Sequence, residues 1–357
     1  MSKKFFGFAL MGCGRIAKKH GEVITNHLPN AKLVAVCDID LERAKAIAEA
    51  YNVPYYTAIR DLVEAQGDQL DIVNVLTPSG SHAANVLEIA PYRKHIVVEK
   101  PMALTLKDAD AMIKSCDEQG IKLFVVKQNR YNLPVQKLRE QVDKGAFGKM
   151  VLGTVRVRWC RTQEYYDLSD WRGTWRHDGG VFSNQASHHL DLLEWLMGDV
   201  VSVFAKSATR LVNIEAEDVG VVVLKFSSGA LGVIEATTAT RPKDLEGSIS
   251  ILGEKGSVEI GGFAVNRIKV WNFVDESKEE QQSVMDNFCE NPPNVYGYGH
   301  IAYLQNVVDS LAVSRRALVD GLEGRKSLEL ITAIYESIET GREVLLKFRP
   351  QKCKLGI

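Results

Sequence analysis

The chain has 357 residues, 45% hydrophobic and 25% charged, which is enough for two domains with a core each. Its 44 lysines and arginines balance 45 aspartates and glutamates, which excludes the basic excess of a general nucleic-acid-binding protein. The six cysteines contain no C-x-x-C pair that would indicate zinc. We expect a cytoplasmic protein with reduced thiols, no metal, no nucleic-acid partner and no membrane contact.

The first apolar run, Phe5–Met11, predicts a buried strand that leads directly into a glycine-rich turn. Residues 12–17 read G-x-G-x-x-A, a motif in which the glycines let the backbone approach a diphosphate. The helix that follows, predicted over 15–26, would direct its free N–H groups at that diphosphate. The residues expected to contact a dinucleotide here are Gly12, Gly14, Arg15 and Ile16.

A carboxylate at the end of the second predicted strand supports a dinucleotide site. Asp38 follows the run Lys32–Cys37, roughly 20 residues after the glycines, where an acid takes the adenosine ribose hydroxyls. Its negative charge would repel a 2′-phosphate, and no arginine follows in residues 39–41. The sequence therefore predicts NAD rather than NADP.

Strands and helices alternate up to about residue 125. The further predicted strands are Tyr55–Tyr56, Leu70–Leu76, His95–Glu99 and Ile121–Val126. The predicted helices are Leu41–Tyr51 (with Asp40 as N-cap), Ile59–Ala65, Ser81–Ala90 and Leu106–Gln119. This rhythm predicts an α/β Rossmann domain, residues 1–127, with a parallel sheet.

After residue 130 longer strands follow one another with fewer helices. The predicted strands are Met150–Cys160, Val200–Arg210, Asp218–Phe226, Leu231–Thr238, Gly247–Leu252 and Ser257–Ile260. The predicted helices are Pro134–Lys144, His300–Ser314 and Gly324–Thr340. Hairpin turns between strands indicate a C-terminal α+β domain, residues 128–357, with an open, mostly antiparallel sheet.

Polar residues follow two of the parallel strands, at the edge where doubly wound sheets hold ligands. Thr77, Pro78 and His82 follow one strand and are placed to touch the ribose or nicotinamide. Glu99 and Lys100 end the next strand, and the bond from Lys100 to proline could be cis. A partly desolvated lysine can act as acid or base.

A second group of candidates lies in residues 179–191. Read as a helix, this segment places Asn184, His188 and Asp191 on one face, and such a polar stripe is costly unless it lines a cleft. His188 could take a proton from a substrate hydroxyl near neutral pH.

Together these motifs resemble the glucose–fructose oxidoreductase/inositol dehydrogenase/rhizopine catabolism (Gfo/Idh/MocA) family over essentially the whole length. The resemblance implies a catalytic group of Lys100, position 184 and His188 facing the nicotinamide. The usual aspartate of this group is Asn184 here. An amide cannot raise the basicity of His188 through charge, so Lys100 and His188 both remain candidates for the base.

Four segments, residues 127–132, 170–173, 183–189 and 292–300, are similar to the UDP-N-acetyl-2-amino-2-deoxyglucuronate (UDP-GlcNAcA) dehydrogenases of this family. This resemblance implies C3 oxidation with tightly held NAD in O-antigen lipopolysaccharide biosynthesis, and in some members NADH is recycled by 2-oxoglutarate. The implied cofactor contacts are Gln128, Trp171 and Arg172. The implied substrate contacts are Lys100, Asn129, Arg130, Asn184, His188, Tyr296 and Tyr298.

A nucleotide-sugar acid needs cations, and five arginines lie near the active segment: Arg130, Arg158, Arg161, Arg172 and Arg176. Two alternatives stay open, a free-sugar or inositol dehydrogenase of the same family and a non-catalytic NAD-binding regulator. Strands over 219–225 and 231–235 alternate poorly, as if buried on both faces. We expect a homo-oligomer, a tetramer before a dimer, joined through the sheet.

Overall fold

The computed structural model describes residues 5–291 and 297–346, and the first part of the chain forms a parallel sheet. Its strands are β1 Phe6–Met11, β2 Ala31–Cys37, β3 Tyr55–Tyr56, β4 Ile72–Val75, β5 His95–Val98 and β6 Leu123–Val125. They lie in the order β3-β2-β1-β4-β5-β6, with every neighbouring pair parallel. The order reverses between β1 and β4, where such sheets bind dinucleotides.

Five helices connect these strands, and their positions match the prediction to within a residue or two. They are α1 Arg15–Asn26, α2 Leu41–Tyr51, α3 Ile59–Gln66, α4 His82–Ile89 and α5 Leu106–Glu118. Helix α2 shows why local sequence predicts the helix ends. The Asp40 side chain accepts hydrogen bonds from the first-turn N–H groups, and Asn52 ends the helix with φ 51°. All six residues of β1 are buried because helices cover both faces of the sheet.

The second sheet has eight strands and is mixed but mostly antiparallel, as predicted. Its strands are β7 Met150–Arg158, β8 Val200–Ala208, β9 Val219–Phe226, β10 Leu231–Thr237, β11 Glu246–Gly253, β12 Gly256–Gly261, β13 Arg267–Phe273 and β14 Val344–Leu345. They lie in the order β13-β12-β11-β7-β10-β9-β8-β14, and β7 with β10 is the parallel pair.

Six helices belong to this part of the chain. They are α6 Leu133–Asp143, α7 Gln163–Asp167, α8 Ser187–Met197, α9 Lys278–Asn287, α10 Gly299–Ala312 and α11 Gly321–Thr340. Helices α8 and α11 cover one face of the second sheet, and their apolar side chains join its core. Among the described helices, none combines the length and the apolar content that crossing a bilayer requires.

The other face of the second sheet is open in the single chain. Along β9, Val222 and Leu224 are buried, whereas Val221 and Val223 are 48% and 49% exposed. In the single chain this strand is therefore buried on one face only, and its other face is the one that the expected assembly would cover. The sequence lacks alternation because valines occupy both faces, and the assembly itself stays a prediction.

Four described elements of the second half, α7, β13, α9 and β14, are absent from the prediction, and the start of α8 needs correction. Strand β13 and helix α9 lie beyond the predicted strands, and α9 has no buried residue, so no apolar periodicity marks it. Its sequence signal is the capping box of Ser277 and Glu280. Helix α8 begins at Ser187, three residues after Asn184.

The two parts of the chain share their cores. Helix α10 packs on α1, and side chains of α10 and α11, such as Tyr303 and Leu328, complete the apolar clusters of the first sheet. The boundary after residue 127 stays a prediction, because the chain returns to the first sheet near its end.

Candidate active site

The glycine turn lies at the switch point of the parallel sheet. Gly12 has φ 99°, and a Cβ there would lie 2.8 Å from the backbone carbon of Leu76, so only glycine fits. A Cβ on Gly14 would meet nothing within 4 Å, which leaves space on this side of the turn. Gly14 caps α1 without a side-chain hydrogen bond, while Arg15 is exposed and Ile16 partly buried. The turn fits a diphosphate on the helix N-terminus.

Asp38 is held beside this turn by two backbone donors. Its Oδ2 accepts from the N–H of Cys13 at 2.6 Å, and its Oδ1 accepts from the N–H of Asp40 at 2.9 Å. Each carboxylate oxygen keeps a further lone pair for a ribose hydroxyl. In the described part of the chain no cation forms an ion pair with Asp38, so its charge still faces an incoming 2′-phosphate.

The loop after β4 is connected to the loop after β5 by His82. Its ring nitrogens lie 2.8 Å from the Pro101 carbonyl oxygen and 2.9 Å from the Thr77 carbonyl oxygen. Burial lowers the pKa of His82, and the Thr77 hydroxyl donates to Asn85. His82 therefore ties the two strand ends together, while the cofactor contacts of Thr77, Pro78 and His82 remain predictions.

Lys100 points from the end of β5 toward the second part of the chain. Its Nζ donates to the backbone oxygen of Asn184 at 3.0 Å, and the Lys100–Pro101 bond is cis. Burial lowers the pKa of Lys100, and the charges of Glu99 and Asp178 oppose that shift. A lysine whose ammonium is destabilised by burial is suited to exchange a proton.

Glu99, beside Lys100, lies in a buried polar cluster that sequence reasoning missed. His20 Nε2 is 3.0 Å from Glu99 Oε1, His300 Nε2 is 3.8 Å from the same oxygen, and Glu99 Oε2 accepts the Lys100 N–H. Burial alone would raise the pKa of Glu99, but the two histidines hold it well below its usual range. The cluster therefore keeps a negatively charged carboxylate next to Lys100.

The same three side chains bring their donor atoms within 4.8 Å of one another, close enough for a metal ion. The 3.0 Å contact between His20 and Glu99 is that of a direct hydrogen bond. It is shorter than the roughly 3.3 Å that separates tetrahedral ligands of zinc. The geometry favours a hydrogen-bonded cluster, and a site without metal stays the prediction.

The predicted helical stripe is corrected at Asn184. This residue lies in the turns before α8, yet it connects the site: its backbone oxygen accepts from Lys100 and from Ser187 Oγ. Its Nδ2 donates to Asp178 Oδ1 at 2.5 Å. Asn184 and His188 therefore reach the site from a loop and a helix start, rather than from one helix face.

His188 lies in the first turn of α8 and faces Gln128. The two Nε2 atoms are 3.0 Å apart, and His188 Nδ1 is buried without a hydrogen-bond partner among the described residues. Burial, and then the charges of Lys100 and Lys127, hold the pKa of His188 well below its usual range. With the amide nitrogen of Gln128 toward it, the neutral ring carries its proton on Nδ1.

Arg130 is engaged inside the protein. Its Nε and Nη2 donate to Asp191 at 2.8 Å, and its Nη1 donates to Glu323 at 3.1 Å. The guanidinium also lies 5.0 Å from the ring centre of Trp195. These contacts favour a structural role over the predicted substrate contact, while Asn129 in the same turn is buried beside Gln128.

The other predicted arginines divide into two groups. Arg158 pairs with Glu235 and Glu246, and Arg161 pairs with Asp244, so these two bind acids along the second sheet. Arg172 lies over Tyr165 at 4.5 Å and next to Trp171 at 4.6 Å from each ring centre. Its charge lowers the pKa of Lys100, which puts Arg172 near the site.

The segment 171–177 touches the cofactor edge of the first sheet. The N–H of Gly80 donates to the His177 oxygen at 3.0 Å, and a Cβ on Gly80 would collide with Arg176. This contact brings the Trp171 and Arg172 region beside the loop after β4. Arg176 itself is exposed.

The aromatic loop before α10 is described only in part. Tyr296 lies outside the described residues, and Tyr298 is 43% exposed as N-cap of α10. Gly299 packs on the backbone of Gln128, since a Cβ there would lie 2.2 Å from the Gln128 oxygen. Tyr298 therefore lies next to the turn that contacts His188.

A glycine turn at a switch point, an acid after β2, and a lysine facing a neutral histidine define an NAD-binding oxidoreductase of two parts. The chain belongs to the Gfo/Idh/MocA oxidoreductase family. The model of its NAD-binding Rossmann fold matches residues 6–127, and the model of its C-terminal alpha/beta domain matches residues 139–346.

Two solved structures resemble the chain over nearly its whole length. The WlbA dehydrogenase of Bordetella pertussis, in complex with NADH and UDP-GlcNAcA, is 43% identical with a TM-score of 0.89 and covers 98% of this chain and 100% of its own. The Chromobacterium violaceum WlbA dehydrogenase, with the same two ligands, is 44% identical with a TM-score of 0.90 and 98% coverage of both chains. The myo-inositol 2-dehydrogenase of Thermotoga maritima is 28% identical over 95% of this chain and 98% of its own.

These findings confirm the family and the cofactor class. The protein is an NAD-dependent dehydrogenase, which removes the alternative of a non-catalytic regulator. The individual residues assigned to cofactor and substrate remain predictions.

Proposed function

We propose that the protein oxidises the C3 hydroxyl of UDP-GlcNAcA with NAD. The observation that carries this proposal is the hydrogen bond from Lys100 Nζ to the Asn184 loop, just before the helix that carries His188, at the carboxyl end of β5. The substrate follows from similarity of more than 40% over 98% of the chain to two dehydrogenases whose structures hold UDP-GlcNAcA.

NAD supplies the hydride acceptor of this reaction. The protein's own residues handle the proton of the hydroxyl, and its geometry supports a division of labour between Lys100 and His188. His188 is held neutral with its proton on Nδ1, so it donates a hydrogen bond to the substrate oxygen. Lys100, whose pKa burial lowers, takes the hydroxyl proton once it is neutral.

The carboxylate and diphosphate of the substrate need cations that are not already paired. Arg130, Arg158 and Arg161 bind protein carboxylates, whereas Arg172 contacts the Tyr165 hydroxyl and two rings. Arg172 near Lys100 is therefore the favoured cation for a charged group of the substrate or cofactor. The ring of Tyr298 offers a surface for stacking.

A rate comparison tests the substrate. UDP-GlcNAcA should be turned over with NAD, and UDP-N-acetylglucosamine, which lacks the carboxylate, should react much more slowly. The reason is that the cation that pairs with the carboxylate is left without a partner, which costs roughly 2 kcal/mol. Equal rates for the two sugars would contradict the carboxylate site. Turnover only with inositol or a free hexose would favour the second candidate, which the Thermotoga maritima relative supports.

We propose three further properties on the same resemblance: recycling of NADH by 2-oxoglutarate, a role in cytoplasmic lipopolysaccharide O-antigen synthesis, and a homotetramer. Bound NADH that loses its absorbance on addition of 2-oxoglutarate would support the first. The half-exposed valines of β9 support assembly through the open sheet face. Light scattering that gives the monomer mass of 39.7 kDa would contradict the tetramer.

A further inference from the structure

Asp178 is a buried carboxylate that is linked to Lys100 through one intervening residue, Asn184. Its side chain is 2% exposed, its Oδ1 accepts from Asn184 Nδ2 at 2.5 Å, and its Oδ2 accepts from the N–H of Gly173 at 2.9 Å. The backbone oxygen of the same Asn184 accepts from Lys100 Nζ at 3.0 Å. Asn184 therefore connects an ammonium on one side with a carboxylate on the other.

The charge of Asp178 is not neutralised by a direct partner. In the described residues no ion pair reaches it, and burial raises its pKa, while Lys100 and Arg172 are the cations that lower it. A buried carboxylate without a salt bridge is costly. A carboxylate at this position therefore bears a desolvation cost that a neutral side chain would avoid.

We propose that Asp178 is a positioning residue for Lys100, which orients the Asn184 amide and, together with Glu99, supplies negative charge that favours the protonated form of the Lys100 amine. The proposal rests on the proposed function, in which Lys100 is the base. Because Asn184 Nδ2 is used by Asp178, the amide oxygen is the side-chain group left for the substrate. Asp178 thus makes Asn184 an acceptor for a substrate hydroxyl or N–H.

Four ionisable groups act on Asp178 from the elements packed around it. Lys100 faces it from the end of β5 and Arg172 from the preceding loop, and both favour its charge. Tyr166 of α7 and Glu217, before β9, interact with it electrostatically, and burial raises the pKa of Glu217 to about 7. Above that pH Glu217 also becomes negative. The effect of Asp178 on activity is therefore best measured across the whole pH–rate profile.

Moving the charge between the two touching residues tests the proposal. Asp178→Asn should lower kcat with UDP-GlcNAcA about tenfold and shift the rising limb of the pH–rate profile to lower pH, because a negative charge near Lys100 is lost. NAD affinity should stay within about twofold. Asn184→Asp alone places two carboxylates in contact and should also lower kcat.

The double variant Asp178→Asn/Asn184→Asp restores one charge at the same pair. It should recover kcat to within about threefold of wild type and return the pH midpoint, a coupling that a merely structural role would not produce. Asp178→Glu keeps the charge but displaces it, so it should keep the midpoint while lowering kcat. The Asp178→Glu variant also tests the proposal if Asp178→Asn does not fold.

Asp218→Asn is the matched control. Asp218 is fully buried and, like Asp178, accepts backbone N–H groups, at 2.9 and 2.8 Å from Arg210 and Leu211. Its variant should lower the melting temperature without moving the pH midpoint. An unchanged midpoint in Asp178→Asn, or a double variant no better than the worse single one, would overturn the proposal.

A substrate-free measurement separates this proposal from the proposed function. Acetic anhydride labelling of Lys100 in the NAD-bound protein, followed by peptide mass spectrometry across pH, reports its titration directly. If wild type does not oxidise UDP-GlcNAcA, the proposed function fails, and the labelling midpoint still decides the role of Asp178. A midpoint equal in wild type and Asp178→Asn would overturn that role.

Discussion

Two groups of buried charges flank His188, and they differ in how fully they are paired. The paired cluster comprises Lys127, Arg130, Asp191 and Glu323: Asp191 binds Arg130 through both oxygens and lies 3.6 Å from Lys127, whose Nζ also donates to Ser327. The open cluster comprises Lys100, Asp178 and Glu217: Lys100 donates to a backbone oxygen, and Glu217 Oε2 is buried without a hydrogen-bond partner among the residues that the structure describes.

The difference separates two uses of buried charge. In the paired cluster each charge satisfies another, so loss of one member leaves the rest uncompensated and the fold suffers. In the open cluster Lys100 already bears a desolvation cost, so its loss should spare the fold and harm the chemistry. Five predictions test this comparison, from the largest effect to the smallest.

Lys100→Met should lower kcat by at least about 10³-fold, equivalent to about 4 kcal/mol, because it removes the proposed base. NAD affinity should stay unchanged, and the melting temperature should not fall, because a buried ammonium is replaced by an apolar chain. NADH absorbance and thermal unfolding measure both effects. The exposed Lys32→Met is the control, and a Lys100→Met protein with near wild-type kcat would remove the lysine from the mechanism.

The same residue predicts how wild-type activity depends on pH. Burial destabilises the charged, protonated amine of Lys100 and so lowers its pKa from the ordinary value of 10.5. The amine must be neutral to accept a proton. Activity should therefore rise with pH, with a midpoint below 10.5.

Arg130→Met should lower the free energy of unfolding by about 3–5 kcal/mol, because it leaves the buried Asp191 and the partly buried Glu323 without their main cation. Arg139→Met is a matched control: Arg139 also lies over the Trp195 ring, at 4.9 Å, but is 29% exposed and pairs with Asp143. Its loss should cost about 1 kcal/mol or less. Urea unfolding compares the two, and equal losses would contradict the importance of burial.

His188→Asn should lower kcat on the order of 10²-fold, because the donor to the substrate oxygen is displaced. The control is His189→Asn, since His189 is also buried but lies against Trp159, with ring centres 5.8 Å apart. That variant should affect stability more than kcat. Asn184→Ala should lower kcat less than either Lys100→Met or His188→Asn. A stronger effect of His189→Asn on kcat would show that the wrong histidine was assigned.

The smallest expected effect concerns the carboxylate of Asp38, which accepts from two backbone N–H groups. NAD should bind at least about tenfold more tightly than NADP, which corresponds to about 1.4 kcal/mol, because Asp38 repels a 2′-phosphate. Asp38→Ser should reduce that preference by removing the repulsion. Titration of both cofactors measures it, and equal affinities for wild type would contradict the assignment.

The sequence by itself determined the parallel sheet, the glycine turn, Asp38 and Lys100, because each depends on signals within a few residues. Apolar runs, the Asp40 cap and the positive φ of Gly12 act locally, so their consequences can be read before the fold is known. The sequence also singled out His188. It could not show that Asn184 lies outside the helix, since the turns before α8 are held by Glu217 from the far side of the second sheet.

Only the tertiary structure decided the partners of the charged residues. Arg130 meets Glu323, which lies 193 positions later, and Glu99 meets His20, 79 positions earlier. The proposed role of Asp178 depends on Lys100, which follows strand β5 of the other sheet. A charge's role depends on what neutralises it and on how far water is excluded, and both are set where distant segments of the chain come together.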